Sequence, residues 1–515
     1  MDPYQVTGSK VLITVAVMCG ALMSVLDISI VNVALSDIRA SFGTPLDQIA
    51  WVSTGYAMAN ITVIPMSGWL GRKFGLKRYF AGSLLLFTIA SALCGAAWNL
   101  PSLVMFRVLQ GIGGGAIIPT AQTILFSRYP PREQGMAGAL FGLGSITGPL
   151  LGPTIGGYLI DWFSWHWIFL INVPIGLAAA FIAYRNIEQP AFTPTTAKVD
   201  SFGIGLLAVG MASLQYVLEE GNRDGWLDSR TITVLAAVAG VSLVTFIVHE
   251  LSIDNPVVDF RVFAERSYAA STAINFLVGC ALFGGSFLYS LFCGTVMHYT
   301  ALDIGLVFLE GTWIQLLIMP IIGRLMSNPR VDTRMLVAIG IIGNFISLVL
   351  NARLTAQADH YHMILPIFAR ACSLGLIFVP LSVASLSGLK PSQRGSGAGL
   401  FNLTRELGGS IGLAVMSNAL NNASKSYYDD MRAQVTPYTA AAQDLVQQFK
   451  AGVGGRLVDP ATGALAILSG RVSIQALVRA FNELFTGLAI FFALSILLVF
   501  LLKPAPKGLS APAGH

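Results

Sequence analysis

Six ionisable residues stand inside long apolar runs of this chain: Asp27, Arg107, Glu310, Arg370, Arg405 and Glu406. A charge in hydrocarbon costs at least about 2.5–3.5 kcal/mol on insertion scales, so each one needs a partner or a task. The chemistry open to such a set is proton transfer. Burial favours the neutral form of a carboxyl group, and an approaching guanidinium favours the ionised form, so a carboxylate that alternates between the two takes up and releases H⁺. With a helical rise of about 1.5 Å per residue, Asp27 lies roughly 24 Å along the first apolar run, and Arg107 comes to a similar depth in the fourth. They are expected to pair. Glu310 and Arg370 share a depth as well, which leaves a second pair open. Arg405 and Glu406 are neighbours on one helix and point to different faces, so at most one aims into a central cavity.

Asp27, Arg107, Glu406 and Glu310 are therefore the candidates for proton coupling. Each acid also has a structural reading: Asp27 as a helix–helix hydrogen-bonding group, Glu310 as a plain counter-ion of Arg370, Glu406 as an acid paired with its neighbour. Asn32, Gln110, Gln122, Gln315, Arg370 and Arg405 are the candidate cavity or substrate contacts.

These residues need membrane helices to hold them. Of 515 residues, 54% are hydrophobic and 11% charged, against about 25% charged in an ordinary soluble domain. Most of the surface must face hydrocarbon. The first apolar run, from Val11 to about Ser36, exceeds the roughly 7–15 residues of a cleavable signal and contains Asp27 and Asn32, so it reads as a span. Cys19, Cys94, Cys280, Cys293 and Cys372 all lie in apolar runs without metal-ligand spacing and read as packing residues. The run Gly111–Gly115 lacks the Lys-Ser/Thr of a phosphate loop. No ATPase motif is seen, no metal or cofactor is expected, and the balance of charge does not suggest nucleic acid. Protons are the coupling ion expected.

Fourteen segments have about 20 mostly apolar residues: roughly 11–36, 48–70, 79–97, 102–126, 135–160, 165–184, 202–218, 231–249, 269–293, 303–325, 334–354, 363–388, 396–420 and 480–502. Lys and Arg gather at alternate connections (Arg72, Lys73, Lys77, Arg78, Arg128, Arg132, Arg261, Arg266, Arg324, Lys390, Arg394, Lys503), which predicts both termini on the cytoplasmic side. Ile64-Pro65-Met66-Ser67-Gly68-Trp69-Leu70 is echoed by Met319-Pro320-Ile321-Ile322-Gly323-Arg324-Leu325. Pro131-Arg132-Glu133-Gln134-Gly135 is echoed by Pro391-Ser392-Gln393-Arg394-Gly395. In both cases span n matches span n + 8, the pattern of a six-helix unit used twice in parallel with two spans inserted. The expected organisation is an N-terminal bundle over 1–200, inserted spans over 201–250, a cytoplasmic linker over 251–268, and a C-terminal bundle over 269–515. Within the last, 421–479 is expected as an extramembrane loop, either a plain surface loop or a docking surface for a periplasmic partner. It should hold a helical stretch at Ala440–Phe449 and a break at Gly452–Gly455. In the fifth span, Gly144, Gly148, Gly152 and Gly156 recur every fourth residue and predict a flat face for another helix.

At these positions the chain resembles the major facilitator superfamily, in particular the fourteen-span drug/proton antiporters of the EmrB type. Leu26-Asp27-Ile28-Ser29-Ile30-Val31-Asn32-Val33-Ala34-Leu35 is similar to the span-1 signature. Gly68-Trp69-Leu70-Gly71-Arg72-Lys73-Phe74-Gly75 resembles the loop 2–3 motif, and Arg107, Gln110 and Gly111 the span-4 motif. Gly148, Gly152, Pro153, Gly156 and Gly157 resemble the span-5 antiporter motif, followed by Trp165-His166-Trp167-Ile168-Phe169-Leu170-Ile171-Asn172-Val173-Pro174. Arg72 stands where the wider superfamily has an aspartate, and His166 where an arginine is usual.

The resemblance implies an all-α major facilitator fold and proton-coupled export of small hydrophobic compounds across a bacterial inner membrane. Gly68, Arg72 and Gly75 with the span-5 motif would form the conformational gate. It also implies work with a periplasmic adaptor (EmrA-like) and an outer-membrane channel (TolC-like). Two other readings stay open on the same fold: a narrow exporter or importer of one metabolite, such as a fatty acid or siderophore, and a membrane sensor that transports nothing.

Overall fold

The structure is a computed structural model that describes residues 6–189, 199–328, 331–434, 443, 444, 447 and 460–503. Its long helices are α1 (Lys10–Phe42); α2 (Trp51–Val63, continued through a tight turn at Ile64–Met66 into Ser67–Phe74); α3 (Leu76–Gly95); α4 (Leu100–Arg128); α5 (Gln134–Trp162); and α6 (Trp167–Leu170, then Asn172–Asn186). They continue with α7 (Ser201–Glu220), α8 (Arg230–Ser252), α9 (Arg266–Gly279, a wide π turn at Cys280–Gly284, then Gly285–Thr295), α10 (Ala301–Leu325), α11 (Thr333–Asn351), α12 (His360–Ser387), α13 (Arg394–Gln434) and α14 (Pro460–Ala493). Among the described residues there is no β-sheet, only one isolated bridge between Thr7 and Glu188. Eleven helical stretches are long and apolar enough to cross a membrane. They are α1, α3, α4, α6 to α12, and Leu468–Val499 at the end of α14. The protein is a multi-pass membrane protein.

The helix ends are set by local chemistry. Asn99 caps α4 by accepting from the Ser102 amide at 2.8 Å, and Thr300 and Asp303 cap α10 reciprocally. These caps satisfy amides that have no partner within the helix. α2 stops at Gly75, whose φ of +81° suits glycine and strains other residues.

Glycine also decides how the helices pack. α5 lies along α1, where a methyl group placed on Gly148 would come within 2.8 Å of Val25, and Gly152 and Gly156 lie equally close to Ser29 and Ile30. Gly157, the last glycine of the span-5 motif, looks into open space, because it is one residue, or about 100°, round the helix from Gly156. The Pro153 side chain lies outside the described residues.

At the end of the bundle that carries Arg72, Lys73 and Arg324, hereafter the basic face, backbone meets backbone. A Cβ on Gly68 would overlap Gly395 and Ser396 at the start of α13, and one on Gly135 would reach the Gly323 carbonyl at 2.6 Å. These are the glycines of the two internal repeats, each seated on a residue of the other copy. Arg72 reaches across the same seam, donating to Ser396 Oγ at 3.0 Å and to the Pro256 carbonyl at 3.1 Å. A basic side chain therefore bridges where the wider motif has an acid. Deeper in, Asn402 of α13 donates to Gln122 of α4 at 2.7 Å.

The stretch over 421–479 is not simply a loop. α13 runs on to Gln434 and α14 begins at Pro460. At 41 residues, α13 is roughly 60 Å long, about twice the hydrocarbon core. The two helices stay side by side beyond it, with Tyr427 donating to Glu483 at 2.8 Å and Tyr428 and Ser469 hydroxyls 3.0 Å apart. The expected helix at 440–449 and break at 452–455 lie outside the described residues, apart from the helical positions 443, 444 and 447.

Bulk at Gly68 is expected to pry open the seam at the basic face. With the five native cysteines replaced, a reporter cysteine at the buried Ala398 should resist a membrane-impermeant maleimide and become labelled several-fold faster when Gly68→Val is added. Equal labelling rates would show that the glycine contact does not seal this face.

Candidate substrate and coupling site

Asp27 and Arg107 are brought together as their depths require. Arg107 Nη1 donates to Asp27 Oδ2 at 2.5 Å, and the two side chains are 1% and 0% exposed. A buried pair of this kind holds only when every remaining donor and acceptor finds a partner. Here they do. Gln110 donates to Asp27 Oδ1 at 2.9 Å, and Asn172 donates to the same oxygen at 3.2 Å. Ser91 Oγ accepts from both amides at 3.1 Å and donates to the Phe169 carbonyl at 2.9 Å. Arg107 also donates to Gln110 Oε1 at 2.7 Å and to the Val52 carbonyl at 3.1 Å. Its guanidinium carbon lies 4.2 Å from the centre of the Tyr56 ring, within cation–π reach. Five helices, α1, α2, α3, α4 and α6, each supply part of this network.

Beside it lies a cavity of about 280 Å³. Its wall takes Ile28 and Asn32 from α1, Tyr56 and Asn60 from α2, Arg107 from α4, Gln215 and Glu219 from α7, Phe283 from α9 and Glu406 from α13. Arg107 thus faces the cavity on one side and Asp27 on the other. A second cavity of about 530 Å³ shares Asn32, Ser53 and Glu219 with the first and extends to Arg39 and Arg223, at the face opposite the basic one. The route is open there and closed at the glycine seam.

Among the candidate residues, Asn32 and Glu406 line the main cavity, and Gln110 belongs to the Asp27 network. Gln122 is taken up by Asn402 at the seam. Arg405, 3% exposed, lies over the Phe378 ring and 3.2 Å from Glu406. Of the two neighbours it is Glu406 that reaches the cavity.

Glu310 and Arg370 do not form the second pair. Glu310 is partly exposed and sits 3.5 Å from His360 Nε2, while Arg370 turns toward α9, donating to the Leu282 carbonyl at 3.2 Å and to Ser286. Equal depth fixes height along the bundle but not direction around it. Gln315 and Arg370 share a separate small cavity of about 20 Å³ with Leu282 and Phe308.

Several residues of the site gave little warning. Ser91, Tyr56 and Asn60 are ordinary polar residues of apolar helices, whereas Asn172 stands out as an amide just before Val173-Pro174. Glu219 was hidden because Glu219-Glu220 resembles the polar edge of a span. The helix carries Glu219 inward between α2 and α13 instead.

A bundle of apolar helices with a buried, fully hydrogen-bonded ion pair against a cavity that reaches one face is the architecture of a membrane carrier. The family model described as Major Facilitator Superfamily matches residues 17–413, and the chain belongs to that superfamily, within its EmrB type. It is 33% identical over 498 residues to the multidrug export protein EmrB of Haemophilus influenzae, covering 96% of each chain. It is 33% identical to the protein of that name in Escherichia coli K12, over 98% of this chain and 97% of the relative. The fatty acid resistance protein FarB of Neisseria gonorrhoeae is 31% identical over 96% of both. The crystal structure of the human organic anion transporter MFSD10 shares the fold, with a TM-score of 0.61 at 12% identity over 95% of this chain and 99% of that one. The protein is therefore a transporter.

Removing one member of the buried pair strands the other. Arg107→Met is expected to cost about 3–5 kcal/mol, seen as a marked fall in the unfolding midpoint of the detergent-solubilised protein. Adding Asp27→Asn, which keeps an acceptor for Gln110 and Asn172, should restore most of it. A double variant as unstable as the single one would mean that the charge pairing is not what holds this region together.

Proposed function

We propose that this protein exports lipophilic toxicants in exchange for protons. The observation that carries the reading is the position of Arg107, which walls the cavity while holding the buried carboxylate of Asp27. While Asp27 is ionised it holds the guanidinium out of the cavity. When the carboxyl takes up H⁺ it releases Arg107, which turns into the cavity and displaces the compound held there. Substrate and proton thereby exclude one another, which is the requirement for exchange. Glu406, on the cavity wall, and Glu310, beside His360 on α10, are further proton sites in this scheme, and no cofactor is called for.

In this reading all fourteen long helices cross the membrane, with α2, α5 and α13 added to the eleven apolar ones. α1–α6 and α9–α14 form the two parallel halves, with α7 and α8 inserted. Gly68, Arg72 and Gly75 gate the seam between halves, while Gly148, Gly152 and Gly156 set the α1–α5 contact. The excess of Lys and Arg at the basic face supports a reading with both termini on the cytoplasmic side of a bacterial inner membrane. The projecting ends of α13 and α14 would meet a periplasmic adaptor, and through it an outer-membrane channel.

Relatives named for multidrug export favour a broad range of substrates. The relative named for fatty acid resistance, at nearly the same identity and coverage, favours a second reading in which one class of compound is exported. A deletion strain exposed to unrelated lipophilic toxicants separates the two: sensitivity to many supports the broad exporter, and sensitivity to a single class the narrow one.

In reconstituted vesicles, efflux should follow an imposed pH difference and stop when pH difference and voltage are both collapsed. Asp27→Asn should reduce gradient-driven efflux by roughly tenfold or more, the scale of one lost charge interaction. Full activity in that variant would move the coupling site to Glu406 or Glu310.

A further inference from the structure

We propose that the main cavity selects organic cations with an apolar body, and that Glu219 of α7 supplies the charge that recognises them. The inference rests on the exporter reading and specifies its substrate class. It starts from which charges are free to act in the cavity. Arg107 is committed to Asp27 at 2.5 Å, to Gln110 at 2.7 Å and to the Val52 carbonyl at 3.1 Å. Arg405 is turned onto Phe378, and its contact with Glu406 at 3.2 Å offsets part of that acid's charge. Glu219 is held differently, accepting from the Gln215 amide at 2.7 Å. The nearby Arg223 is engaged by Glu220 at 2.6 Å and by Asp224 at 3.1 Å.

A second observation is independent of the acids. Gln215 is 4% exposed and lines the same cavity, and its Oε1 has no hydrogen-bond partner. A buried acceptor left without a donor is unfavourable until something entering the site supplies one. Gln215 therefore offers an oxygen, beside the Glu219 carboxylate, to a ligand that brings positive charge or N–H. Tyr56 and Phe283 add aromatic surface to the wall, suited to an apolar cation.

Position completes the case. Glu219 is shared by the inner cavity and by the outer one that reaches Arg39, so a ligand moving between them passes its carboxylate. α7 is pinned in that role, leaning on α2 and tied to α13 by Asn222 donating to Ser417 at 2.9 Å. The inserted helix thus closes the gap between α2 and α13 and brings to the cavity an acid that neither six-helix unit contains.

The test uses two ions of nearly the same shape and opposite sign, tetraphenylphosphonium and tetraphenylborate, titrated onto the purified full-length protein without any pH gradient. The intact protein should bind the phosphonium about tenfold more tightly or better, the scale of one charged hydrogen-bonding group. Glu219→Gln should remove most of that preference, weakening phosphonium binding without weakening borate binding. Glu219→Asp, which keeps the charge, should retain the preference and covers the case in which Glu219→Gln fails to fold. Equal affinity for both ions in the intact protein, an unaltered preference in Glu219→Gln, or its loss in a folded Glu219→Asp would overturn the assignment. Gradient-driven export without cation preference would sink this inference alone, whereas binding of neither ion would count against the exporter reading as well.

Discussion

Taking a carboxylate and a guanidinium wholly out of water costs several kcal/mol for each ion, and their mutual attraction offsets that only when every other lone pair and N–H is satisfied. The Asp27–Arg107 contact imposes this condition on the surrounding helices. Gln110, Asn172, Ser91 and the Val52 carbonyl must all converge on it, so five helices are fixed relative to one another by one point of chemistry. The α5 glycines serve the same end from outside, since close approach to α1 at Val25 and Ser29 holds the helix that carries Asp27.

How much of this was legible in the sequence depended on what a linear text can encode. Depth is encoded, because rise per residue is constant. Asp27 and Arg107 were therefore placed at one level and do meet. Azimuth is encoded only through neighbours, and for Glu310 and Arg370 the neighbours decide otherwise: one turns to His360 and the other to Ser286. The helical content and the glycine-rich α5 face could be read from apolar length and four-residue spacing. Even there the adjacent Gly157 shows the limit, since one step along the chain is a large turn around the axis.

The same distinction explains the acids of the cavity. Arg405 and Glu406 leave the helix on different faces and only Glu406 lines the cavity, although their head groups still meet at 3.2 Å. Glu219 falls just past the expected span over 202–218, because a Glu-Glu pair after seventeen or so apolar residues has the form of a helix leaving the bilayer. Only the packing of α7 between α2 and α13 turns it inward. The length of α13 was obscured in a similar way: its sequence becomes polar after about residue 420, yet the helix continues, because α14 gives it a partner outside the apolar region.

The seam at the basic face has one more implication. Gly68 against Gly395, Gly135 against Gly323, and Asn402 against Gln122 are contacts between uncharged groups, held by fit and by dipoles rather than by ion pairs. Screening by dissolved salt acts on exposed charges and barely touches such contacts. Beyond the charged hydrogen bonds of Arg72 across the same seam, the ease with which these two surfaces part is thus set by shape, on which ionic strength has little purchase.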